Sequence, residues 1–521
     1  MKRILAIVAV VSLLVGLVFG TSIAAGEELH VGPEGDYASI SDAVEAANNG
    51  DTIIVHEDAT YEESVEVSKP VTIQAAEDEG PVVDGGYEPA FVFTANGATL
   101  QGIGIRSSQD SEDAAGIIVY SAQCLIQENE IIGDGNIIGI WLDNGAHDNQ
   151  IIDNSIENVS AGIILEPGCH HNDIEANGIF DITADGISMS DSHDNNVIEN
   201  TIEAEGEYGI MATDGSSNNT IKENRVMGSW IQGISLYREC HDNLIMDNVI
   251  NDSFEESAIN IECSSDNEII GNLITGSCGW NGITVSGCCE DEENCEEEES
   301  GDEPEMLLAV DNLIEGNVVD VEAESAIWIN ETALGTTISG NFISGYYSGG
   351  DPEGAAINIQ DNTVVSCNVV SAECSRGIAV KNFNQVLQND VSGCQRGIVV
   401  GGDEGNLISG NFVHDNSEGG LWLELSFDNT IENNIAVSNG TGIELHGASN
   451  NEILNNTVYN SECNGIAAEN TDGANAEDNL IQGNLTFFNG DGESCFDLYD
   501  DDDPIDNIWE PNVWDTANFE D

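Results

Sequence analysis

Apolar residues along most of this chain follow a strand-like alternation. In Gly162-Ile163-Ile164-Leu165, Ile163 and Leu165 face one side and Ile164 the other. The same start, Gly or Ala followed by apolar-any-apolar, recurs at 116, 139, 162, 186, 209, 233, 258, 282, 326, 356, 377, 397, 420, 442 and 465, with most steps 20 to 25 residues long. The run that follows, Asn172 to Ile179, sets Ile174 and Ile179 five apart. An odd spacing cannot stay on one face of a strand, so the chain turns at Ala176-Asn177. Each period therefore predicts short strands separated by corners, with Gly or Asn where φ is positive. A fixed period of this length means stacked units that bury a shared apolar face. The Ile and Val at period two argue against a helical solenoid. At about 4.8 Å per coil the stack spans roughly 70 Å.

Asparagine pairs recur with one gap: 149/154, 195/200, 219/224, 243/248, 267/272, 312/317, 406/411, 429/434, 451/456 and 479/484. Stacked in register, their amides can pass hydrogen bonds along the axis as a ladder. A single such Asn is an ordinary turn residue, but the repeated five-residue gap predicts the ladder.

Outside the repeat, residues 1–25 read as a signal peptide, with Lys2-Arg3, an apolar run from Ile4 to Phe19 and small residues before Gly26. Residues 26–64 read as an N-terminal cap. Ile40, Ala43, Val44 and Ala47 share one helical face, Gly50 stops the helix, and Thr52 to Val55 is a strand. The coils run over 65–499 as one domain, interrupted by an acidic insertion at 287–309 that has no apolar period and must leave the stack. Residues 500–521 form an acidic C-terminal cap and tail, in which Trp509, Pro511 and Trp514 offer apolar cover for the far end.

With this Gly-apolar-any-apolar start, the paired asparagines and the opening helix and strand, the chain resembles the right-handed parallel β-helices of the pectate-lyase-like superfamily, and within them the NosD-type repeat proteins. The resemblance covers roughly residues 30–515. It implies an all-β solenoid with an N-terminal capping helix. It leaves activity open, because that superfamily includes lyases, hydrolases, esterases, epimerases, adhesins and surface proteins.

Charge and sulfur then change the picture. The formal net charge is −87, from 97 acidic and 10 basic residues. Loss of 1–25, which carries Lys2 and Arg3 and no acid, makes it more negative still. Such self-repulsion opposes compaction unless salt shortens its range. An acidic, Lys-poor surface around an intact apolar period is that of a salt-adapted protein, and the periodic core excludes a disordered acidic chain. Nucleic acid and anionic lipid are poor partners for this field. Thirteen cysteines in an exported chain point to disulfides. Cys374 and Cys394 each precede a coil start by three residues, which places them one coil apart and within disulfide reach. Cys263, Cys288 and Cys289 fall on neighbouring corners.

Three sets of residues could carry chemistry. His147, His170 and His193 stand two residues before the first ladder asparagine of successive coils, Ser217 follows, and His241 comes next. Imidazoles one coil apart could share a metal, and the NosD-type resemblance implies copper; a corner repeated by duplication is the plainer explanation. Trp141, Trp328 and Trp422 occupy the outward position of the Gly-start strand and could stack on sugar rings or lie under loops. Lyases and epimerases of this fold place carboxylates, calcium and a basic residue on an outer strand face. Here the outward position carries one charged residue, Glu444. The Gly-His-Gly and paired-Asp signatures of β-helix polygalacturonases are absent.

The leading expectation is a secreted, salt-adapted β-helix of the cell surface, with a structural or carbohydrate-binding role and extracellular polysaccharide or cell-surface components as partners. A polysaccharide hydrolase or lyase is the alternative, and extracytoplasmic copper handling a further one. Calcium and copper are the candidate ions. With the Debye length growing from about 3 Å at 1 M salt to about 10 Å at 0.1 M, dialysis from molar salt into dilute buffer should abolish cooperative β-structure. Circular dichroism that is unchanged between the two would remove salt adaptation from the reading.

Overall fold

The computed structural model describes residues 26–517 apart from 57–58, 78, 109–113, 204–205, 229, 290–305, 348–353, 403, 472–473, 491–493 and 502–506. The expected signal peptide, most of the acidic insertion and parts of the acidic tail therefore lie outside the described residues.

The chain winds into a parallel β-helix with up to three short strands per coil. In one coil these are Ile138–Leu142, Gln150–Ile152 and Ser155–Val159. They pair in parallel with Ala161–Leu165, Asp173–Glu175 and Gly178–Ile182 of the next. The second strands of all coils form one 20-stranded sheet, and the first and third strands run together into a 37-stranded sheet. Inward residues stack on their own kind along three columns. Ile140, Ile163 and Ile187 belong to the first, Ile151, Ile174 and Val197 to the second, and Ile156, Ile179 and Ile202 to the third, all without exposed surface. Each such side chain stabilises the fold by about 1.5–3 kcal/mol of burial. Ile163 with Leu165, and Ile174 with Ile179, are inward pairs as the spacing predicts. The coil-starting glycine is required by space: a Cβ on Gly162 would run into the Gly186 carbonyl and the Ile179 side chain.

The ladder is present and longer than the sequence pairs suggest. Asn224 shows its unit. Its Oδ1 accepts from the Asn200 backbone N–H (2.9 Å) and from Asn200 Nδ2 (3.0 Å). Its Nδ2 donates to the Val197 carbonyl (2.7 Å) and to Asn248 Oδ1 (3.0 Å). Every donor and acceptor of a fully buried amide is thus used. This ladder runs from Asn129 to Asn512, taking in Asn177, Asn341, Asn368 and Asn389. The companion ladder runs from Asn149 to Asn312, is interrupted by Thr336 and Thr363, and resumes from Asn384 to Asn507. A short third ladder joins Asn416 to Asn439.

The corners meet the expectation at Gly271, Gly316, Gly410, Asn433 and Asn455, all with positive φ, and differ from it elsewhere in one respect. Positive φ falls on the residue before the ladder asparagine, such as Asp148 (55°), Asp153 (54°) and Ala176 (54°). The asparagine must aim its amide inward, so its neighbour makes the turn and points a side chain, often Asp or Glu, into solvent.

At the N-terminus, strand β1 (Glu28–Val31) already pairs with β2 (Thr52–Val55), so the second column begins inside the segment read as a cap. Helix α1 (Ile40–Ala46) buries Ile40, Ala43 and Val44. The Ser39 hydroxyl accepts from the Asp42 N–H, and the Glu63 carboxylate accepts from the Ile40 and Ser41 amides at 2.8 and 3.0 Å. At the other end the second column continues past 499 to Ile508–Glu510, and Trp509 and Trp514 pack against the core. Across the insertion the register holds, with Glu268 opposite Leu313 and the Asn267 amide bonded to Asn312. Cys288–Cys289 and Met306–Leu307 form a small antiparallel ribbon at its base. Disulfides join Cys374 to Cys394, Cys263 to Cys288 and Cys463 to Cys495, with Cα separations of 4.7, 5.5 and 4.9 Å.

Two outcomes follow from this packing. Asn224→Ala leaves the Asn200 amide N–H buried without its acceptor and removes the amide's bond to the Val197 carbonyl, and should cost about 1–3 kcal/mol in denaturant unfolding at high salt. Asp185 gives the pH dependence. Burial, reinforced by Glu207, pushes its carboxyl up to about 6, against a bond from Ser188 that favours the ionised form. A carboxyl whose folded value lies above its unfolded one takes up a proton on folding. Stability is therefore highest below the unfolded value, falls as the pH rises towards 6, and is level above. Asp185→Asn should raise the melting temperature at pH 7, by the equivalent of about 2 kcal/mol, and change it little at pH 3.5.

Candidate functional site

The outer face of the first-strand column is where the chain departs most from its own repeat. The outward position runs through Trp141, Ile164, Ser188 and Met211 in the N-terminal half, and through Trp328, Asn358, Ala379, Val399, Trp422 and Glu444 in the C-terminal half. Positions at either end of the same strands add what the outward position lacks. Arg376 stands opposite Arg396. At the last residue of the strands, Gly401, Glu424, His446 and Glu469 follow one another from coil to coil. Of the chain's 10 Lys and Arg residues, Arg376, Lys381 and Arg396 thus gather on two adjacent coils.

These coils enclose a trough. One section, about 590 Å³, is lined by Asn358, Gln360, Arg376, Lys381, Val399 and Glu424 among others. The other, about 400 Å³, is lined by Trp280, Asn281, Glu324, Ser325 and Trp328, and shares Asn358 and Gln360 with the first. The two sections adjoin at Asn358 and Gln360, with Trp280 and Trp328 lining one and Arg376 and Lys381 the other. Trp280 is 52% exposed.

Beyond the cationic end, the Arg396 guanidinium lies over the Trp422 ring at 4.1 Å and ion-pairs with Glu418 at 3.1 Å and Glu424 at 3.7 Å. The Trp422 ring also lies 5.6 Å from the His446 ring. Trp422 is thus held between neighbours, and Trp328 is the one of the three expected tryptophans that lines the trough. Trp141 sits on the N-terminal half of the face, half-buried. The indole N–H groups of Trp141 and Trp422 are buried without a hydrogen-bond acceptor.

Next to Trp422, Glu444, His446 and Glu469 each offer a ligand atom within 4.8 Å of the others. Glu444 is 6% exposed. Burial first, then repulsion by Glu469, pushes its carboxyl up to about 8, while Arg396 pulls it down. Burial also raises Glu469, against the pull of His446. Sequence reasoning found Glu444 as the charged outward residue. It missed His446 and Glu469, although their one- and two-coil spacing from Glu424 was a readable signal.

The histidine column is in register: His147, His170, His193, Ser217 and His241 bridge in succession. The rings of His147 and His170 stack at 4.8 Å and those of His170 and His193 at 5.1 Å, nearly parallel. The Nδ1 atoms of His147, His193 and His241 pair with the following Asp at 2.8 Å, and that of His170 with His171. The ring nitrogens therefore run side by side along the stack. Among the described cysteines, Cys124, Cys169, Cys240 and Cys278 are unpaired and buried, and Cys367 is exposed. Burial pushes the Cys169 and Cys240 thiols up to about 11 and Cys278 to about 12.

No curated protein matches the sequence. Among solved structures, the complex of XylC with xylose aligns at 12% identity and TM-score 0.44, over 57% of this chain and 76% of that one. A PL6 alginate lyase in complex with a trisaccharide aligns at 13% and 0.41, over 67% and 86%. The PL6 family polysaccharide lyase Pedsa3628 from Pseudopedobacter saltans aligns at 14% and 0.41, over 61% and 84%. No residue role is carried over from these likenesses. The model of the family described as "Periplasmic copper-binding protein (NosD)" matches residues 46–277 and 351–492, and the chain belongs to that family.

Proposed function

We propose that this protein works outside the cytoplasm as a glycan-binding β-helix, and that the trough on the outer face of the C-terminal coils holds an extended polysaccharide chain. The observation that carries this reading is that the two trough sections adjoin, with Asn358 and Gln360 in both linings. A chain-shaped ligand suits a channel that crosses several coils. The indoles of Trp280 and Trp328 supply ring stacking at one end, and Asn358 and Gln360 supply amides at its middle. Arg376 and Lys381 then favour a glycan bearing carboxylates or other anions, because they sit in the trough of a protein whose field otherwise repels such a chain. The disulfides and the family's periplasmic description support an oxidising location. Among the described residues no helix is long and apolar enough to cross a membrane.

Metal handling is the second reading, and the donors on this chain favour one form of it. The buried cysteines are held as thiols, which does not suit a thiolate site for Cu(I). The residues that converge are two carboxylates and one imidazole, Glu444, Glu469 and His446, a set that fits divalent copper. Such an ion would supply positive charge beside the trough's cationic end.

Binding to matched neutral and uronate oligosaccharides tests the glycan reading. Uronate chains should bind more tightly at moderate salt. Trp328→Ala should weaken both by about 1 kcal/mol, the worth of a lost stacking contact. Lys381→Ala should weaken the uronate chain alone, with a shallower salt dependence. Equal affinity of the Trp328→Ala, Lys381→Ala and unaltered proteins for every glycan would show that the trough is not the binding surface.

A further inference from the structure

Glu444 and His446 lie two residues apart on one strand, so both point outward from the same face, and Glu469 stands opposite His446 in the next coil. His446 Nδ1 is buried and makes no hydrogen bond, although Glu444 Oε1 lies 3.4 Å from it, within ion-pair reach but off line for a bond. A buried ring nitrogen directed at a buried carboxylate without bonding it is a donor pair spaced for a third partner. Ligands on a tetrahedral ion with bonds of about 2.1 Å lie about 3.4 Å apart, the spacing of this pair. Glu469 closes the third position from the neighbouring coil, with its ligand atom inside the same 4.8 Å grouping.

We propose that Glu444, His446 and Glu469 form a binding site for a divalent first-row transition ion, tightest for Cu²⁺ and open to Zn²⁺. The ligand chemistry selects the class. One imidazole and two carboxylates suit borderline divalent ions, whereas calcium takes oxygen donors throughout and Cu(I) prefers sulfur. The site differs from the acidic surface around it. Glu444 is almost fully buried, and the ring of Trp422 lies beside His446 and limits access from the trough side. A fourth position is left for water or for an anionic group of a bound chain. The inference rests on the metal-handling reading and is independent of the glycan one, because the three donors come together without the trough.

The test uses the full mature chain in molar salt at pH 8, stripped with chelator. Cu²⁺ electron paramagnetic resonance should show one saturable site with coupling to a single nitrogen. Zn²⁺ calorimetry should show one event above the weak binding of the acidic surface. Glu444→Gln and Glu469→Gln should each weaken that event by at least about tenfold, the loss that follows even an outer-shell disturbance. His446→Ala should abolish the nitrogen coupling. Zn²⁺ should raise the melting temperature of the unaltered protein in a concentration-dependent way and leave the variants unmoved. Glu469 is the more exposed ligand, so its variant keeps the test decisive if Glu444→Gln fails to fold. Unaltered affinity and nitrogen coupling in His446→Ala would overturn the proposal. Loss of both in His170→Ala with His193→Ala, while His446→Ala retains them, would also overturn it and assign the ion to the stacked histidine column.

Discussion

The buried amide ladder is the constraint on which the rest of this structure depends. At each corner the chain turns away from the strand pairing of the previous segment, and an inward backbone N–H would be left in an apolar interior at a cost of about 1–3 kcal/mol. The asparagine one coil on removes that cost, because its Oδ1 accepts both the backbone N–H and the Nδ2 of its predecessor. The arrangement works only if equivalent residues stack at the strand spacing, so the ladder also fixes register. A slip of one residue would send Ile and Val to solvent and acids to the core. Hydrophobic burial drives the coils together, and the amides decide how they align.

That division explains what could be read in the sequence. The Gly-Ile-x-Leu starts and the five-residue Asn gap repeat often enough that the stacked coils of short strands, inward pairs such as Ile163 with Leu165, and the outward Trp141, Trp328, Trp422 and Glu444 follow from pattern alone. The Cys374–Cys394 pair follows from the same register. The corners were harder. Asparagine is a familiar turn residue, yet here its neighbour takes the left-handed conformation, because an isolated propensity does not know which residue the interior needs. The ends were also misplaced: β1 and Ile508–Glu510 lack the full repeat but pair with it. A strand that forms only against an existing edge carries little signal of its own.

The site was less legible for a related reason. Reading one outward position per coil finds Glu444 as its charged residue and misses the cluster, because Arg376, Lys381, His446 and Glu469 sit at the strand ends. They become neighbours only when adjacent coils are laid in register. Trp422 shows the converse: an outward aromatic reads as a stacking platform or as a covered ring, and here Arg396 lies over it. A column identifies which residues stack, while packing by long side chains from flanking positions decides what remains accessible.

A solenoid built by duplication makes function visible as departure from its own repeat. The companion amide ladder is interrupted by Thr336 and Thr363 in coils that also line the trough, and the Thr336 hydroxyl is buried without a partner. Those coils flank the shortest steps of the chain, where the starts at 356, 377 and 397 fall closest together. Arginine and lysine, scarce across the chain, concentrate beside them. Each change is unfavourable or neutral for the stack: a lost amide bond, a tightened corner, cations that the strand pairing does not use. Stability alone gives no reason for them to coincide. Their coincidence on one outer face, next to the one three-donor grouping among the described residues, is the reason for proposing the binding surface on the C-terminal coils.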